Sequence, residues 1–115
     1  MKYTRIYTGT DDQSHFENLT FDLYDISIGK ITAKLPTEGL FFGEIEDVKE
    51  VSWHNPPVAQ FVIMLQGAME IEIGDGTKRI FNTGDIVLAT DTVGQGHITR
   101  TASIEKHIYM VVPLL

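Results

Sequence analysis

The sequence predicts an all-β domain, a sandwich or barrel of short strands. Turn-forming residues recur every eight to twelve positions with β-rich runs between them, the rhythm of strands joined by tight connections. Met69, Ile71 and Ile73 alternate with Glu70 and Glu72, the period-two pattern of a strand with one apolar and one wet face. Glycines and prolines interrupt the windows a helix would need, and β-branched and aromatic residues fill the apolar positions.

Each element follows from its own punctuation. The polar stretch Asp11–Asn18 is the one segment suited to a short helical turn, and His15 within it reads as a turn or capping residue. Gly29 precedes KITAKL, which Pro36 and Gly39 close; LFFGEIEDV and EVSWH follow, stopped by Asn55, Pro56 and Pro57. QFVIMLQ runs from Gln60 to Gln66 and ends at Gly67. AMEIEI and TKRIF flank an Asp75-Gly76 pair that supplies the positive φ of a hairpin turn. IVLAT comes next, then the glycine-bearing loop DTVGQG, HITRTA, and a closing HIYMVV.

Phe61 to Leu65 is apolar on both faces: Val62 and Met64 on one, Phe61, Ile63 and Leu65 on the other. Such a strand must be covered twice, once by its own barrel and once by something else. The N-terminal segment is one candidate cover. A second copy of the chain is the other, and a homodimer is the expectation.

Length and composition bound the rest. The chain has 115 residues, within the size of one domain, and at 43% hydrophobic and 22% charged it is neither disordered nor fibrous in character. No internal repeat or linker divides it, so residues 1–115 read as a single domain. Cysteine is absent, which removes disulfides, thiolate nucleophiles and cysteine-bound metals together. Sixteen acidic against nine basic residues give a net charge of −7, and the basic residues are scattered; nucleic acid is disfavoured as a partner. No run approaches the roughly 20 apolar residues that span a bilayer, and the opening MKYTRIYTGTDD lacks the apolar stretch of a secretory signal, so the expected location is cytoplasmic, with no membrane partner.

The four histidines are His15, His54, His97 and His107, and with no cysteine any transition-metal site must use imidazole, carboxylate or amide oxygen. His54 ends one predicted strand and His97 begins another, both beside irregular loops, a placement that suits two imidazoles at one barrel mouth. His107 shares a face with Tyr109 and Val111 and reads as a cavity or surface residue, more in keeping with packing than catalysis. Met64 and Met110 read as core, near the pocket. GDGTK lacks the length and ending of a phosphate loop, no serine has a nucleophile-elbow context, and Glu70 and Glu72 face solvent.

HNPPVAQFVIMLQG, from His54 to Gly67, resembles the first signature of the cupin superfamily, two histidines one residue apart, a glutamate three or four residues on, and a glycine after six more. Gln60 and Gly67 stand at the glutamate and glycine positions. GDIVLATDTVGQGHITRT resembles the second signature at Gly84, Gly94 and His97, with two extra residues, Thr92 at the usual proline and Thr101 at the usual asparagine. The resemblance covers about residues 50–101, close to half the chain. It implies a double-stranded β-helix, the cupin jelly-roll barrel of two antiparallel sheets with a cavity at one end.

The departures bear on function. Metal-binding cupins hold one divalent ion with three histidines and the glutamate. Carried over, those positions are His54, Pro56, Gln60 and His97, leaving two imidazoles and one amide for at most a weakly held transition metal. With four residues before Gln60, the histidine pair becomes Trp53 and Asn55 instead. Strand alternation, with Val51 and Trp53 on the apolar face and Ser52 and His54 on the other, favours that second register. The Asn-Pro-Pro break makes parity unreliable from Asn55 onward, and the expectation is His54 inward. Each candidate also has a plain packing role: His97 as a strand histidine bonded to backbone, Gln60 as a buried amide, Trp53 as core.

The leading expectation is a barrel that binds a small, largely apolar molecule, with His54, Gln60 and His97 as polar anchors and Trp53, Val62, Met64 and Tyr109 lining the pocket. A second is a metal-dependent oxygenase, isomerase or lyase using His54, Gln60 and His97 as ligands. A third is a metal-free enzyme with His97 or His54 as general base.

Overall fold

The computed structural model describes residues 1–115, and every regular element in it is a strand. These are β1 (Lys2–Thr8), β2 (Ser14–Thr20), β3 (Tyr24–Ile26), β4 (Gly29–Ile31), β5 (Phe41–Ile45), β6 (Glu50–His54), β7 (Gln60–Gln66), β8 (Met69–Glu72), β9 (Lys78–Phe81), β10 (Ile86–Ala89), β11 (His97–Thr101) and β12 (His107–Pro113). A six-stranded sheet has the order β2-β1-β10-β7-β12-β5, and a four-stranded sheet the order β6-β11-β8-β9; β3 and β4 form a separate hairpin. All pairings are antiparallel except β1 with β10, which run parallel. No helix is long and apolar enough to cross a membrane.

The two larger sheets enclose the core. Ile6, Met64, Ile71, Phe81 and Val87 form one buried cluster, drawn from β1, β7 and β10 on one side and β8 and β9 on the other. The alternation read in 69–73 is realised: Met69 and Ile71 face the interior, while Glu72 meets Arg100 from β11 at 2.7 Å on the outer face. That guanidinium is held above its ordinary pKa, chiefly by hydrogen bonding to Glu50 and then Glu72. The β8–β9 hairpin closes through Ile73–Thr77, and Gly76 alone in that turn has positive φ, +87°.

Three expectations are corrected. Asp11–Asn18 holds no helical turn: the chain turns at 9–12 and enters β2, which pairs with all of β1 from Lys2↔Thr20 to Thr8↔Ser14. His15 is therefore a strand residue, its Nε2 3.0 Å from the Asp11 carboxylate. The run after Gly29 is a strand only to Ile31. His107 is neither on the cavity nor on the surface; it is 1% exposed, with Nε2 2.8 Å from the Ala68 carbonyl.

The second face of β7 is covered in part by the chain itself. Tyr3 stacks on Phe21 at 4.1 Å, and both rings lie against Phe61 at about 6 Å. Farther along the same face Leu65 remains 45% exposed.

Candidate functional site

A cavity of about 290 Å³ lies between the sheets. Its walls are apolar because the inward positions of β7, β8, β10 and β12 supply them, including Val62, Met64, Ile71, Val87 and Val111. Phe41 and Val51, each about half exposed, flank its opening. The polar groups are few: His54, Asn55, Gln60, His97, Thr99 and Tyr109. A wall that is mostly hydrocarbon with a handful of converging polar groups is the usual form of a small-molecule site.

His54 and His97 are cross-strand partners at the β6–β11 ladder, with ring centroids 4.6 Å apart in an edge-to-face arrangement. A bulge puts them there. Between His97↔His54 and Thr99↔Val51, β11 advances two residues and β6 three, so Ser52 and Trp53 together oppose Ile98. Both Val51 and His54 consequently line the cavity, although strict alternation would have separated them. The same bulge removes Trp53 from the pocket: it does not line the cavity and is 39% exposed. Gln60, Val62, Met64, Tyr109 and His97 do line it.

Each imidazole is oriented through Nδ1. His54 Nδ1 donates to the Ser52 carbonyl at 2.8 Å. His97 Nδ1 donates to Asp91 Oδ2 at 2.6 Å, and the Ser14 hydroxyl donates to that same oxygen at 2.6 Å. All three residues of this chain are buried, His97 at 5% exposure, Ser14 at 2% and Asp91 at 0%. Contacts this short are those of a charge-assisted bond. Asp91 Oδ1 has no partner. Asn55 locks the surrounding loop by donating from Nδ2 to the carbonyls of Asp91 and Val93, at 2.8 and 3.1 Å.

Asp91 and Ser14 are the site residues that sequence reasoning missed. An aspartate in a loop ordinarily faces water, and Ser14 lies 77 residues from Asp91. Six residues before His97, Asp91 carried one available signal, its position immediately after the apolar strand.

The donor set does not fit the resident metal of metal-binding cupins. No group of three or more His, Asp or Glu side chains in the chain is arranged to hold a metal ion. At the cavity the set is two imidazoles and the Gln60 amide, with no carboxylate on the wall; Asp91 sits behind His97 on its Nδ1.

No family model and no curated protein matches the chain. Solved structures do. The chain is similar to a cupin domain from Bordetella pertussis Tohama I, with TM-score 0.51 at 14% identity over 72% of this chain and 98% of that one. It is similar to the Drosophila melanogaster CENP-C cupin domain, with TM-score 0.51 at 11% identity over 80% and 74%. A Rhizobium leguminosarum protein of unknown function gives TM-score 0.53 at 17% identity over 65% and 67%. The chain thus has the cupin-type all-β jelly-roll fold. At these identities the likeness concerns fold alone.

Proposed function

We propose that this protein binds a small, largely apolar molecule in the cavity between its sheets. The ligand's polar group meets the His54–His97 pair, and Gln60 and Tyr109 supply further hydrogen bonds. The observation that supports this is the apolar cavity of about 290 Å³ with two oriented imidazoles on its wall. The groove near the β3–β4 hairpin, lined by Tyr3, Phe21 and Phe61, is larger at about 450 Å³ but carries no imidazole.

Thermal melting against a panel of small cyclic alcohols, ketones and acids tests the reading. A ligand at a hundredfold excess over Kd stabilises the fold by about 2.7 kcal/mol, which for a domain near this size raises Tm by roughly 10 °C. The shift is expected to vanish in Val62→Trp, which fills the cavity. A shift retained in that variant places the ligand elsewhere and overturns the reading.

The protein is also proposed to form a homodimer through the outer face of the six-stranded sheet. Ile86, Ile63, Met110 and Phe42 align there across β10, β7, β12 and β5, with Phe42 64% exposed. Light scattering at micromolar concentration should return twice the 12.9 kDa chain mass; a monomer mass refutes it.

A further inference from the structure

Ser14, Asp91 and His97 form one buried hydrogen-bonded chain that ends on the cavity wall. We infer that His97 is a general base, with Asp91 as its positioning residue, and that the bound molecule is a small carbon acid whose proton passes to His97 Nε2 without a cofactor. This rests on the cavity being the binding site.

The geometry carries the assignment. Asp91 Oδ2 takes the Nδ1 proton of His97 at 2.6 Å, which fixes the tautomer and leaves the Nε2 lone pair as the reactive position. His97 lines the cavity, and Nε2 has no hydrogen-bond partner in the protein. The carboxylate also stabilises the imidazolium that forms when Nε2 accepts a proton, the division of labour seen wherever a buried acid backs a catalytic histidine. Ser14 is not a nucleophile in this arrangement. Its hydroxyl donates to the same Asp91 oxygen that takes the Nδ1 proton and not to Nε2, so the order is serine–carboxylate–imidazole. With no cysteine in the chain and the serine placed behind the acid, the site is built to move a proton and not to form a covalent acyl intermediate.

For a carbonyl substrate the step balances without a co-reactant. The α-C–H bond breaks, its proton goes to Nε2, and the electron pair moves into the carbonyl as an enolate. The Gln60 amide and Tyr109 hydroxyl, both on the cavity wall, are the donors available to its oxygen. Nε2–H then returns the proton to a neighbouring atom, giving an isomer.

The test uses 5-nitrobenzisoxazole, a carbon acid that suits an apolar pocket. Base removes its ring C–H proton, the N–O bond breaks, and the electron pair ends on a coloured phenolate; the proton leaves on His97 and passes to water. Full-length protein is assayed after chelator treatment, and binding is followed separately with the 3-methyl analogue, which lacks the reactive hydrogen. Expected are turnover at least about a hundredfold above equimolar free imidazole, and its loss in His97→Ala and in His97→Asn, whose side-chain amide stands where Nδ1 donates to Asp91. Asp91→Asn should lower kcat about tenfold or more while KM stays within about twofold. In ¹⁵N-histidine-labelled protein the His97 signals should report the Nδ1–H tautomer in wild type and not in Asp91→Asn. If the analogue binds but turnover is absent, survives in His97→Asn, or needs a metal removed by the chelator, the proton-transfer assignment is overturned and the binding reading stands. If the analogue does not bind, the cavity reading fails for such ligands and the inference falls with it.

Discussion

Replacing Asp91 by alanine is the most informative single perturbation of the fold. The carboxylate is fully buried and accepts two bonds at 2.6 Å, from Ser14 and from His97, both themselves buried. Hydrogen bonds to a charged group contribute about 1.5–3 kcal/mol each, so the two together contribute about 3–6 kcal/mol. Against this, truncation relieves one unpartnered carboxylate oxygen, Oδ1. The expected net loss is about 3–5 kcal/mol, in line with breaking a buried polar pair by removing one partner. Urea unfolding measures it: with a slope of about 2 kcal/mol per molar, the midpoint should fall by roughly 1.5–2.5 M. Asp91→Asn, which keeps shape and one acceptor, should lose less than half as much. A double-mutant cycle with Ser14→Ala should give a coupling of about 1–2 kcal/mol. An Asp91→Ala variant destabilised by less than about 1 kcal/mol would refute the buried network and the positioning role built on it.

Three other outcomes follow from the same structure. Met64→Ala, at a residue only 2% exposed on the cavity wall, should cost about 2–5 kcal/mol by urea unfolding and shift ligand preference toward bulkier molecules. Gly96 has φ +76° and a Cβ there would overlap the His54 carbonyl, so Gly96→Ala should disturb the His54–His97 pairing and weaken ligand binding by about tenfold or more, read by thermal shift or calorimetry. Asp11 is held below its ordinary pKa of 3.8, chiefly by the His15 hydrogen bond. A depressed carboxylate stabilises the fold above its unfolded-state value and loses that contribution as pH falls through the folded-state value, so Asp11→Asn should flatten the stability curve only below about pH 4. The effect should be small at this exposed pair and shrink with salt.

The proposed pocket depends on short-range order and on one irregularity in it. Alternation put Val62 and Met64 on the inner face of β7, and both line the cavity. It could not foresee that β6 inserts an extra residue opposite Ile98, turning Trp53 outward and carrying Val51 and His54 to the same side. Bulges are set by pairing with a distant strand, and β6 meets β11 across more than forty residues, as in His54 with His97. The two N-terminal strands were equally illegible. Lys2–Thr8 and Ser14–Thr20 are polar and only weakly alternating, and their stability comes from pairing with each other and with β10.

The sequence by itself determined the all-β class of this protein: period-two patterning, regular turn residues and a Gly76 hairpin specify strands, because each is a local property of backbone and side chain, and the two stretches that resemble cupin signatures pointed to the jelly roll. It also excluded thiolate chemistry, since no cysteine exists. Only the tertiary structure decided which carboxylate meets His97. Asp91 is joined to His97 across six residues and to Ser14 across 77, and a contact between such distant positions is made by the closure of one strand against another, which no local pattern encodes.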